Sequence, residues 1–109
     1  TRTSAQLLGS VFLYTDYTLP VDELRNKFNE VLASTDMWDG EGKSVQVTDT
    51  SDKTMTIRLL MTARNSPVTW ELRCYVREKL IEWIQQKYPQ ALPRTRAELL
   101  DFPELKKEG

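Results

Sequence analysis

Histidine is absent from this 109-residue sequence, and cysteine occurs once, as Cys74. Without imidazole the usual general base and the commonest metal ligand are both missing. A lone cysteine cannot close an internal disulfide, which favours a reducing compartment. With no base to ionise it, Cys74 reads as a packing residue within a helix. Long apolar runs are lacking too. The longest uncharged stretch, residues 3–15, is too short and polar to span a bilayer and has neither the basic flank nor the cleavage site of a signal peptide. There is no positive excess: 15 basic residues stand against 16 acidic ones, a net charge of −1, where a DNA-binding domain would show a basic footprint. Glycine numbers four; Gly40 and Gly42 bracket Glu41, but no phosphate-loop pattern follows. Asp49 and Asp52 flank a turn without the spacing of a calcium loop, so they read as turn caps. No catalytic residue, cofactor or metal is expected.

What remains is an ordinary globular composition, 39% hydrophobic and 28% charged, of a length that suits one domain. The pattern predicts five elements. A strand over residues 7–17 puts Val11, Leu13, Thr15 and Tyr17 on one face and Phe12 and Tyr14 on the other. Apolar bulk on both sides suggests a strand covered on both faces for part of its length. Pro20 opens a helix with Asp22 and Glu23 in its first turn, and Val21, Leu24, Phe28, Val31 and Leu32 form its apolar stripe. A loop with an Asp39-Gly40 turn follows, where Trp38 is placed to cover one end of the core. Next comes a hairpin. Val45 and Val47 alternate in its first arm, and Met55, Ile57, Leu59 and Met61 share one face of the second.

A long helix, capped by Ser66 with Pro67 at its first position, runs to about Tyr88 and ends before Pro89 and Pro93. Its core stripe is Leu72, Val76, Leu80, Trp83 and Ile84. A second line, Trp70, Cys74, Arg77, Ile81 and Tyr88, lies roughly 100° round the helix. The two together are wider than one sheet needs. The second line either packs against the first helix or the tail, or forms an interface with a neighbouring subunit or domain.

The expected fold class is therefore α+β: a ferredoxin-like βαββα unit with an antiparallel sheet of about three strands packed on two helices. Residues 1–6 read as the end of a preceding domain or linker, residues 7–90 as the domain, and residues 91–109 as a charged tail with a weak helical turn near Arg96–Leu100. The chain starts without Met and enters a strand almost at once, so a preceding segment is expected. No strand pattern follows Tyr88, which should leave the first strand's outer edge open or paired with something else. RNA binding fits poorly, because Phe12 and Tyr14 have no aromatic partner on the facing strand. No nucleic-acid partner is expected.

An ordered series of segments resembles a known family. It comprises Gly9-Ser10-Val11-Phe12-Leu13-Tyr14-Thr15-Asp16-Tyr17, Met37-Trp38-Asp39-Gly40, Val45-Gln46-Val47-Thr48-Asp49 and Met55-Thr56-Ile57-Arg58. It continues with Ala63-Arg64-Asn65, residues 70–80 from Trp70 to Leu80, Tyr88-Pro89 and Leu92-Pro93-Arg94-Thr95-Arg96. Across residues 7–96 the series is similar to the C-terminal cytoplasmic domain of small-conductance mechanosensitive ion channels. That resemblance implies a heptameric channel in the cell (inner) membrane, gated by tension under osmotic stress. Ferredoxin-like domains there join preceding β domains in a cytoplasmic vestibule that filters solutes. The preceding β domain and membrane helices would be partners within the same chain, and the isolated domain would be monomeric. The loop departs from the family pattern in carrying Glu41-Gly42 where a basic residue is expected. The alternative from the residues alone is a soluble ligand-sensing or regulatory module on the same scaffold.

Overall fold

A computed structural model describes residues 7–92. The chain runs β1 (Leu7–Thr15), α1 (Val21–Ala33), β2 (Lys43–Thr50), β3 (Met55–Ala63) and α2 (Ser66–Lys87), with a 3₁₀ turn at Pro89–Ala91. The strands form one antiparallel sheet in the order β1-β3-β2. This is the expected α+β ferredoxin-like βαββα arrangement. β3 holds the centre because it alternates most regularly: Met55, Ile57, Leu59, Met61 and Ala63 are all buried, with half-buried residues between them.

Both helices lie on the face that β3 presents. Val11 and Leu13 of β1, Leu24, Phe28 and Leu32 of α1, and Leu72, Val76, Leu80 and Ile84 of α2 meet there in one core. Trp38 packs against that core from the loop and donates its indole N–H to the Gly42 carbonyl at 3.0 Å. The loop can turn there because Gly40 takes a φ of 79°, a conformation open to glycine at little cost.

Four expectations need correction. β1 ends at Thr15, and Tyr17 is exposed in the following turn with its hydroxyl on the Ser51 carbonyl. The second face of β1 is not covered: Leu8, Phe12 and Tyr14 are 63%, 44% and 56% exposed. Val45 is buried but Val47 is 40% exposed, beside a register shift between Val47 and Asp49 that interrupts the alternation of β2. The cap of α2 is Asn65 rather than Ser66. Asn65 is extended (φ −159°, ψ 173°), and its side chain accepts from the Val68 amide at 3.0 Å while Pro67 brings no amide to satisfy.

The packed fold also reaches past residue 90. Ala91 is buried, and its carbonyl accepts from the Asp16 amide at 2.7 Å. The expected helical turn near Arg96–Leu100 lies outside the described residues.

Candidate interface along the second helix and the first strand

α2 crosses directly over β1, and the contact is close. A Cβ added at Gly9 would stand 3.0 Å from the Thr69 methyl and 3.1 Å from Arg73 Cγ. Glycine therefore sets how near the helix can lie. Gly9→Val is expected to lower stability by about 1–3 kcal/mol through overpacking, read as a drop in urea midpoint with unchanged slope. An unchanged midpoint would show that α2 moves away freely.

From this contact Arg73 sends Nε to the Ser10 carbonyl at 2.9 Å, and its guanidinium stacks 5.5 Å from the centre of the Trp70 ring. Trp70 itself is 57% exposed, while Cys74, Arg77 and Ile81 are half-buried. These four residues hold one side of α2, as the 3.6-residue period predicts. That side is not turned to α1. Tyr75 makes the α1 contact instead, sharing a 2.8 Å hydrogen bond with Ser34 at the end of that helix.

Tyr88, the fifth residue of the predicted line, leaves it. At the C-cap its backbone is no longer helical (φ −134°, ψ 57°). The ring meets Trp83 edge-on, with centroids 5.5 Å apart, and the hydroxyl donates to Glu23 of α1. Trp83, expected in the core stripe, is accordingly half-buried on the α1 side. The Glu23 hydrogen bond holds the Tyr88 proton, followed by partial burial and the Glu23 charge, and together they raise its pKa above the ordinary 10.0. The folded value is thus the higher one. This contribution to stability is complete below the unfolded pKa and disappears as pH rises through the folded value. In a tyrosinate absorbance titration, Glu23→Gln is expected to move the Tyr88 transition to lower pH. No movement would sever the assigned link.

The backbone of β1 adds what side-chain periodicity cannot show. The Asp16 amide reaches Ala91 and the Ser10 carbonyl reaches Arg73, both away from β3. Peptide groups of alternate residues in a strand point the same way. Leu8, Ser10, Phe12, Tyr14 and Asp16 therefore present their amides and carbonyls to the outer edge. Residues 9, 11, 13 and 15 bond to β3. Among the described residues, no backbone group pairs with the outward rungs at Phe12 and Tyr14.

The two edges of the sheet differ. β2 carries Lys43, Asp49 and a register shift, and its Val45 carbonyl is occupied by Arg25 Nη2 at 3.1 Å. Such features discourage pairing with another chain. β1, Leu-Leu-Gly-Ser-Val-Phe-Leu-Tyr-Thr, contains no charge and no proline.

A 210 Å³ cleft between α1 and β2 is lined by Arg25, Phe28, Asn29, Lys43, Ser44 and Val45. Its cations are already engaged: Arg25 pairs with Asp22 at 2.8 Å, and Lys43 sits 5.5 Å over Trp38. No described group of three or more His, Cys, Asp or Glu side chains is placed to hold a metal ion. No described helix is long and apolar enough to cross a membrane. No protein-family model and no curated protein matches the sequence.

Proposed function

We propose that this domain forms part of the cytoplasmic vestibule of a tension-gated ion channel of the small-conductance mechanosensitive type. Its work there is subunit assembly and solute filtering, not formation of the pore. The observation that carries the reading is the uncharged edge of β1, whose rungs at Phe12 and Tyr14 have no backbone partner among the described residues, lying beside the Trp70–Ile81 side of α2. A surface of that kind suits packing against another protein element, and the ordered series of segments from Gly9 to Arg96 supports the choice of family. The partners are neighbouring copies of the chain in a heptamer, together with the preceding β domain and membrane helices. The domain has no catalytic role and needs no cofactor.

The reading expects the gene to encode, upstream of this segment, several apolar spans of about 20 residues each. Sequencing the full transcript tests it. An upstream region without such spans would refute membership of a membrane channel, whatever this domain binds.

A further inference from the structure

The outer edge of β1 and the adjoining side of α2 run in step. α2 rises about 1.5 Å per residue and a strand about 3.4 Å, so one helical turn matches roughly two strand residues. α2 and β1 point the same way: Gly9 lies beside Thr69 and Arg73 of α2, and Asp16, just past the end of β1, bonds to Ala91 just past the end of α2. Arg73 is anchored at Ser10. One turn on, Arg77 comes level with Phe12, and a further turn brings Ile81 level with Tyr14. By this pitch the open backbone rungs run alongside the Arg77–Ile81 side of α2, with Trp70 toward one end and the Asp16–Ala91 hydrogen bond at the other.

Arg77 is half-buried and has no carboxylate within ion-pairing distance among the described residues, unlike Arg25. A partly desolvated guanidinium favours a carboxylate partner, held through charge-assisted hydrogen bonds.

From this geometry we infer that the β1 edge accepts an extended segment of another chain as an added strand, with a carboxylate of that segment on Arg77 and apolar residues on either side of it, one against Ile81 and one against Trp70. The main-chain rungs at Phe12 and Tyr14 supply affinity, and the α2 side chains supply selectivity. This deepens the assembly reading and rests on it. It identifies which surface takes a neighbour and what the neighbour must offer.

The test uses the full 109-residue chain and a blocked nine-residue peptide of alternating valine and threonine with glutamate at its centre. Amide NMR is recorded through a titration to millimolar peptide. The Phe12 and Tyr14 amides are expected to shift and to gain protection from hydrogen exchange. Replacing the glutamate by glutamine, or making Arg77→Gln, should each weaken binding about tenfold, and the two changes together little further. The inference is overturned if these amides do not respond. Equal binding of the glutamate and glutamine peptides would also overturn it. Protection present without peptide would assign the edge to the chain itself, and protection growing with protein concentration would assign it to a β1–β1 dimer; either replaces the inference. None of these results bears on the upstream spans, so the channel reading stands or falls separately.

Discussion

Phe28→Ala is expected to cost about 3–5 kcal/mol of unfolding free energy, the loss typical of a large aromatic removed from a packed interior. Phe28 is fully buried on α1, and its ring sits in the core shared with Ile57 of β3 and Leu80 of α2. Truncating it leaves a cavity in a core built from both helices and the central strand. For a domain of this size each kcal/mol lowers Tm by roughly 4–8 °C, so the variant should melt far below the parent. Differential scanning calorimetry gives the answer. A loss below about 1 kcal/mol would mean that α1 repacks freely, contrary to a well-packed interior. Lys53→Ala, in the exposed hairpin turn, serves as the control that leaves Tm nearly unchanged.

Trp70→Ala is expected to act in the opposite way, leaving the domain intact and impairing the assembly. The indole is more than half exposed, and its main described partner is the Arg73 guanidinium. Stability of the isolated domain should therefore fall by about 1 kcal/mol or less. In the full-length oligomer the same side chain is proposed to be covered. Truncating a buried interface tryptophan commonly costs about 2 kcal/mol or more, and a ring of subunits repeats that loss at every seam. Native electrophoresis of the detergent-extracted protein should show the oligomer giving way to smaller species. Equal assembly of variant and parent would remove Trp70 from the seam.

Much of the fold was legible because two periodicities reported it independently. The alternate residues from Met55 to Met61 marked a strand buried on one face, and the three- and four-residue spacing from Leu24 to Leu32 marked a helix. Pro20, Pro67 and Pro89 marked helix boundaries, with Asn65 one residue from the expected cap. That small displacement arises because Asn and Ser both serve as caps, and only the backbone angles decide between adjacent candidates.

The candidate interface was partly legible. Trp70, Cys74, Arg77 and Ile81 follow from helical spacing alone, while Tyr88 does not, because the helix ends one residue before it. The open rungs at Phe12 and Tyr14 carry no sequence signal, since the direction of a peptide group depends on register with β3. The exposure of Phe12 and Tyr14 was misread for a related reason. Apolar bulk on both faces of a strand shows that each face favours cover, but a single chain need not contain what covers the second.

The same pair of residues would let a small domain serve the proposed assembly with so few reactive groups. Adding a strand needs backbone donors, acceptors and a flat apolar neighbour, none of which requires histidine or a reactive cysteine. β1 supplies the first two and α2 the third.

The central claim is that this domain serves a tension-gated membrane channel, and suction applied to membrane patches containing the full-length protein tests it most directly. The account predicts discrete conductance steps that open with increasing tension and become fewer when Trp70 is replaced by alanine. Patches that contain the folded protein yet stay silent up to the tension at which the membrane ruptures would contradict it.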